Sequence, residues 1–277
     1  MAERNQSNTT NYEHPQESNL LNIHKAMQYN TDGEPELRVT LGQTVSNADW
    51  YLQVAMGNIT GARSVFKAGY NPTCANGVEE SYWGHSVIYP WSSWNTGGTL
   101  SCVSTSASDV GTLHITGLKS SDWTETTEII TLTGTTPVVT TNSFIRINNV
   151  HYFHTNTNVG EIDVDHNGTV MGSISPGFGQ AQMAQYTVPA GHTAYLLRGN
   201  ANMGKGNDGV GKFKYRIYGS NFQTAMTFLL FQSVFEYDFK APLALPEKTD
   251  LDVTMLASNA NTPTGCAYSM ILVQNGL

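Results

Sequence analysis

Residues 184–217 constrain the fold of this chain most, because polar and apolar side chains alternate along much of the segment. Phe213, Tyr215 and Ile217 are separated by basic residues, and a glycine-rich stretch at 204–211 precedes them. Alternation with a period of two, bounded by turn residues, is typical of half-buried antiparallel strands. The segment therefore predicts two long strands joined by a glycine-rich hairpin turn.

The same pattern continues through most of residues 37–277 without a helical period. Asn167 and Gly168 lie between alternating hydrophobic residues, a strong signal of a tight hairpin. Many antiparallel runs of this kind predict an all-β fold, namely an antiparallel β-sandwich of jelly-roll type. Residues 37–277 are predicted to form the sandwich. A separate subdomain at 37–110 is kept as an alternative within it.

The first 36 residues are predicted to form an N-terminal arm with a short helix. Residues 1–18 are polar and rich in Asn, so they bury too little apolar surface to order alone. Ser18 is the expected N-cap of a helix at Asn19–Tyr29, and Tyr51–Ala55 is expected to be extended again. The apolar side chains predicted to dock the arm are Leu20, Leu21, Ile23 and Met27.

Composition narrows the range of partners. Charged residues make up 13% of the chain, against roughly 25% in an average soluble domain. The formal charge of −8, without a basic cluster, argues against nucleic acid, because phosphate binding needs grouped Lys and Arg. No apolar run approaches the roughly 20 residues that span a membrane. The N-terminus has no apolar signal region, which predicts synthesis in the cytoplasm and retention there until assembly.

Reactive motifs are absent from the sequence. Cys74, Cys102 and Cys266 have no metal-ligand or disulfide spacing, so free thiols are expected. Glu125 and Glu128 are three residues apart on a predicted strand and are expected to point to opposite faces, unlike a hydrolase pair. The chain is therefore predicted not to be an enzyme and to need no cofactor.

Two short segments resemble ligand-binding motifs only in part, and neither predicts a bound cofactor or metal. Residues 204–209 match GxGxxG, but a strand follows instead of the helix that a dinucleotide site requires. The segment is predicted to be a hairpin tip that serves at most as a contact loop, through Lys205, Asn207 and Asp208. Asp163 opens a calcium-like loop whose twelfth position is Ile174 instead of Glu, so no metal is predicted.

An aromatic cluster at residues 81–94 has two interpretations. Exposed rings would form a sugar-stacking platform, whereas buried rings would pack the core or a subunit interface. The second interpretation is favoured, and the candidate residues are Tyr82, Trp83, Trp91 and Trp94.

Four segments, taken in order, resemble a family of structural proteins from the virions of marine tailed bacteriophages. They are Asn19–Val39, Leu52–Asn71, Gly111–Asn148 and Gln185–Leu197. The resemblance implies a location in the virion, at the capsid surface, neck or tail, and it supplies no catalytic residues.

The functional prediction is a non-enzymatic virion structural protein, a capsid decoration or knob or a neck–tail component. Its expected partners are copies of itself, as a homotrimer or a higher symmetric oligomer, and other virion proteins. The alternative is a tail-associated receptor- or carbohydrate-binding module, whose partner would be a glycan of the host surface.

Overall fold

The computed structural model describes residues 28–29, 35–36, 47–231 and 234–276. Residues 1–53 and 54–277 form two separate compact units. In the first unit, the short strands β1 (Gln28–Tyr29) and β2 (Pro35–Glu36) pair antiparallel. No helix among the described residues is long and apolar enough to cross a membrane.

Two predictions for the N-terminal region need correction. The helix predicted at Asn19–Tyr29 lies outside the described residues except for its last two, and these form β1. The strand predicted at Tyr51–Ala55 is wrong, because helix α1 covers Asn47–Ala55. In so short a segment, the four-residue spacing of Trp50 and Val54 fits a helical face as well as alternation fits a strand.

Beyond α1 the regular structure of the described chain is antiparallel strand apart from one short 3-10 helix, which confirms the predicted all-β class. The elements before residue 160 are β3 (Ala62–Cys74), β4 (Glu79–Ser81), the 3-10 helix η1 (Trp91–Trp94), β5 (Ser101–Ser104), β6 (Thr112–Lys119), β7 (Glu125–Thr131), β8 (Val138–Val139) and β9 (Phe144–Phe153). The later strands are β10 (Ile162–His166), β11 (Thr169–Ile174), β12 (Tyr186–Thr187), β13 (His192–Met203), β14 (Asp208–Arg216), β15 (Gln223–Phe231), β16 (Phe235–Leu245), β17 (Asp250–Ala257) and β18 (Thr262–Gln274).

The main sandwich consists of two antiparallel sheets, β16-β13-β18-β3 and β12-β17-β14-β15, with β4 also paired to β17. Alternate residues of both sheets point inward and form one core, as Leu196 and Met270 do from the first sheet and Val253 and Met255 from the second. This inward–outward alternation is the pattern that the sequence predicted.

The strand order of the main sandwich is that of a jelly roll. If β3 is counted as the first strand and β12 as the second, the sheets read 1-8-3-6 and 2-7-4-5. The first and last strands are therefore neighbours: β3 pairs with β18 from Ala62 opposite Val273 to Cys74 opposite Thr262. The chain crosses between the sheets after nearly every strand, which is how a jelly roll closes its two Greek keys.

A second, inserted sandwich interrupts the jelly roll between β4 and β12. Its sheets are β11-β10-β5-β8 and β7-β6-β9, and a separate apolar core that includes Ile115, Phe144 and Val164 lies between them. The hairpin predicted at Asn167–Gly168 joins β10 to β11, with φ of 51° and 78° at its two turn residues. Positive φ at both positions is the requirement of a type I′ turn and explains the Asn-Gly pair.

One predicted connection is wrong. Both β13 and β14 exist, but they do not form a hairpin, because β13 pairs with β16 and β18 whereas β14 pairs with β15 and β17. The glycine-rich segment between them carries the chain from one sheet to the other. The domain boundary predicted after residue 36 and the subdomain at 37–110 stay predictions.

Candidate functional site

The main sandwich has one side at which both of its sheets end in a long strand. These strands, β15 and β16, are called the open edge, and among the described residues no strand pairs with the outer side of either. Unpaired backbone N–H and C=O groups at such an edge are a template for pairing with another chain. The open edge is therefore the first candidate for a contact surface.

The open edge is apolar as well as unpaired. Four large side chains near the β15–β16 connection are 43–64% exposed: Leu229, Phe231, Val234 and Tyr237. Next to them, Phe228 and Phe235 stack with their ring centroids 4.6 Å apart and nearly parallel. A rigid aromatic base below exposed apolar groups is the composition found at the buried centre of protein interfaces.

The C-terminal half of β16, residues 239–245, is protected against pairing with another chain. Its register with β13 jumps from Asp238 opposite Arg198 to Leu243 opposite Leu196, so the ladder is interrupted by an irregularity larger than one extra residue. Pro242, which has no backbone N–H, lies in this half. Bulges and prolines prevent edge-to-edge association, so the part of β16 that remains free for contact is the exposed aromatic part.

A second candidate surface is a groove on the outward face of the sheet that contains β3, β13, β16 and β18. One end is a cavity of about 310 Å³ lined by Phe66, Arg198, Tyr237 and Asp238 among others. The other end is a shallow depression whose lining includes Tyr70, Phe178, Gln182, Asn200 and Asn202. The Tyr70 and Phe178 rings stack 6.2 Å apart, so flat apolar surfaces lie beside amide, carboxylate and guanidinium groups.

Buried charges join the two sandwiches. Arg146 on β9 donates from Nε to Asp250 Oδ1 at 2.8 Å and from Nη2 to Oδ2 at 3.0 Å. Asp250, on β17, also accepts from Arg216 Nε at 3.0 Å and from Thr187 Oγ1 at 2.6 Å. The Arg146 guanidinium lies 5.0 Å from the centre of the Trp123 ring. Both guanidinium groups share the one carboxylate of Asp250, so the group holds the inserted sandwich against the main sandwich.

A second buried acid lies two residues along β17. Asp252 accepts from Trp91 Nε1 at 2.9 Å, Gln185 Nε2 at 2.7 Å and Ser81 Oγ at 3.0 Å. Burial nevertheless raises the pKa of Asp252 to about 6, because these three donors offset only part of the desolvation. On β3, burial lowers the pKa of Lys67 to about 7.

The raised pKa of Asp252 predicts a dependence of stability on pH. Between about pH 4 and pH 6 the folded protein holds a proton that the unfolded chain releases. The free energy of unfolding should therefore fall across this window as pH rises, by up to about 3 kcal/mol from Asp252. Urea unfolding of the wild type and of Asp252→Asn from pH 4 to pH 7 measures the difference. Parallel profiles for the two proteins would contradict the assignment.

The aromatic candidates of the sequence are buried. Tyr82 lies in the core of the main sandwich, and Trp83, Trp91 and Trp94 lie in that of the inserted sandwich. The indole N–H groups of all three tryptophans hydrogen-bond to protein: Trp83 to Val87 O, Trp91 to Asp252 Oδ2 and Trp94 to Tyr89 Oη. Because these rings are buried, they do not form a sugar-stacking platform, and core packing describes them.

The other sequence candidates are dispersed. Leu20, Leu21, Ile23 and Met27 lie outside the described residues. Lys205 is exposed at the β13–β14 turn, whereas Asn207 is partly buried and its side chain donates to the carbonyl oxygen of Gly204 at 3.2 Å. Asp208 begins β14. Asp208 lies opposite Phe231 in the β14–β15 pairing, so this end of the loop borders the open edge. Asn202, three residues before Lys205, lines the groove. Sequence reasoning identified the loop but missed both of these surfaces.

The groups considered for chemistry have structural partners. Glu125 pairs with Arg63, and Glu128 accepts from the backbone N–H groups of Thr141 and Asn142. Cys74, Cys102 and Cys266 are free and buried, and burial raises the pKa of the Cys102 thiol to about 12. A thiol that stays protonated is a poor nucleophile.

Comparisons with known proteins establish no family. No family model matches the chain, and no curated protein sequence matches it. A solved structure described as infectious bursal disease virus, Gt strain, is similar over 84% of this chain and 79% of its own, with 9% identity and a TM-score of 0.21. A TM-score this low carries no argument about fold or function.

Proposed function

We propose that this chain is a non-enzymatic structural protein of a virion, which assembles through protein–protein contacts. The observation that carries the proposal is the open edge, where two edge strands of 9 and 11 residues, each unpaired on its outer side, carry four exposed apolar side chains at or near their connection. A soluble monomer normally blunts such an edge along its whole length. Here only part of β16 is blunted, and contact with further copies of the chain would cover the rest.

The fold and the composition support the same proposal. Jelly rolls are a common architecture of viral capsid and lectin domains. The low charge content of 13% suits a protein whose surface is largely covered in an assembly. Four segments resemble, in their order along the chain, virion proteins of marine tailed bacteriophages. This resemblance points to a capsid decoration or knob, or to a neck or tail component. The partners would be copies of itself, as a trimer or higher oligomer, together with other virion proteins.

Labelling purified particles tests the proposed location. Antibodies against the folded chain, applied to particles of the virus whose genome encodes it, should decorate a fixed position on every particle. The same preparation digested with protease and analysed by mass spectrometry should contain the chain in fixed ratio to the major capsid protein. Absence of the chain from particles that contain all other structural proteins would reject the proposal.

The groove favours a second candidate, a receptor- or carbohydrate-binding module on the tail. Stacked aromatic rings bind the apolar faces of sugars, and amide and carboxylate groups bind their hydroxyls. A glycan array separates the two candidates, with the double variant Tyr70→Ala, Phe178→Ala as the control for the groove. Selective glycan binding that this variant abolishes would favour the module.

A further inference from the structure

Three potential metal ligands meet beside the inserted sandwich. His85 lies on the segment between β4 and η1, Glu161 immediately precedes β10, and Asp163 is on β10. One donor atom from each residue lies within 4.8 Å of the other two. Glu161 and Asp163 are two residues apart in extended chain, so their side chains leave the same face of the sheet. His85 reaches that face from a distant part of the sequence.

Two polar atoms of these residues are buried without a hydrogen bond. Asp163 Oδ1 and His85 Nε2 are both shielded from solvent, and neither makes a hydrogen bond. The Nε2 atom lies 3.6 Å from Glu161 Oε1, beyond hydrogen-bond distance. Buried polar atoms are normally paired, because an unpaired one carries its full desolvation cost. A cation bound between them would remove that cost at both atoms.

Neighbouring groups hold the ligands in place. The Trp83 ring packs on the His85 imidazole with centroids 4.7 Å apart, and Trp83 itself donates to Val87 O at 3.0 Å. Ser173 Oγ donates to Glu161 Oε1 at 3.0 Å. Such supporting contacts orient ligands in metal sites.

We propose that His85, Glu161 and Asp163 form a binding site for a divalent cation of the zinc type. An imidazole nitrogen with two carboxylates suits Zn²⁺ and related transition metals, whereas Ca²⁺ and Mg²⁺ prefer oxygen ligands alone. Tetrahedral coordination at zinc distances separates donor atoms by about 3.4 Å. His85 Nε2 and Glu161 Oε1, 3.6 Å apart, are already close to that separation, and all the donor atoms lie within 4.8 Å of one another. Small side-chain rotations of His85 and Glu161, which are 31% and 40% exposed, would close the remaining distance.

The site would fix the segment that leads into the inserted sandwich. His85 follows β4 of the main sandwich, whereas Glu161 and Asp163 belong to the inserted one. A bound cation would link these parts of the chain, in addition to the buried charges around Asp250. The inference is independent of the proposed virion role, and its failure would leave that role untouched.

Calorimetric titration of the untagged full-length protein, first stripped with a chelator and dialysed, tests the site. We expect one Zn²⁺ per chain and no matching heat from MgCl₂ or CaCl₂. His85→Ala, Glu161→Gln and Asp163→Asn should each weaken zinc affinity by at least 10-fold, whereas His154→Ala, an exposed histidine outside the group, should not change it. Circular dichroism of each variant separates loss of the site from loss of the fold.

A second measurement keeps the test decisive if a variant folds poorly. Co²⁺ added to the wild type should give the visible absorption of a site with one nitrogen and several oxygen ligands, and Zn²⁺ should displace it. No zinc binding at 100-fold excess over protein, or equal affinity in the wild type and His85→Ala, would overturn the proposal. Binding of Mg²⁺ or Ca²⁺ that His85→Ala leaves unchanged would overturn it as well.

Discussion

Asp250→Ala is expected to lower the free energy of unfolding by about 3–5 kcal/mol, the typical cost of removing one partner of a buried ion pair. Asp250 is 2% exposed and accepts hydrogen bonds from Arg146, Arg216 and Thr187. Without the carboxylate, the Arg146 guanidinium stays buried with no counter-ion. The loss should appear as a lower urea midpoint, followed by tryptophan fluorescence, because Trp91 and Trp123 lie against Arg146.

Asp238→Ala is the matched control for this substitution. Asp238 is an exposed carboxylate on β16, and its removal should change stability by no more than about 0.5 kcal/mol. If Asp250→Ala moves the urea midpoint no further than Asp238→Ala does, the buried charges do not join the two sandwiches as described.

The second large effect is expected at the open edge. Replacing Leu229 and Phe231 together by Glu puts two charges where we propose that the exposed apolar side chains of β15 contact a neighbouring copy. Central apolar residues of an interface contribute about 2 kcal/mol each or more, or roughly 30-fold in affinity. The double variant should therefore remain folded but dissociate to a monomer of 30.2 kDa in light scattering.

A matched double variant distinguishes a specific contact from general surface polarity. Ile129 and Val159 are exposed to a similar extent, 58% and 63%, but lie outside the open edge. Their replacement by Glu should leave the oligomer intact. Equal masses for the two double variants, whether both assembled or both monomeric, would show that the open edge is not the assembly surface.

Local pattern predicted much of the fold. Alternation located β13 and β14, and Asn167–Gly168 located the β10–β11 turn, because both signals depend only on neighbouring residues. The pairing of strands that are distant in sequence has no such local signal. The contact of β3 with β18 joins the two ends of the jelly roll, and the insertion before β12 becomes visible only when that closure is known. The misassigned β13–β14 hairpin has the same cause.

The candidate surfaces were harder to predict for a related reason. Aromatic residues stand out in sequence whether they are buried, like Trp91, or exposed, like Phe231, and only the topology decides between these outcomes. The sequence of β15 and β16 is rich in apolar residues, as that of a central strand would be. Both strands nevertheless lie at the edge of their sheets. The approach of His85 to Glu161 and Asp163 likewise depends on the folding of distant segments.

Electron cryomicroscopy of the assembled full-length protein tests the central claim, which is that the chain acts through contacts at the open edge. We predict neighbouring subunits with density packed on β15 and on the first half of β16, covering Leu229, Phe231, Val234 and Tyr237. An assembly whose interfaces leave these residues in solvent, or a protein that stays monomeric at every concentration suitable for imaging, would contradict the account.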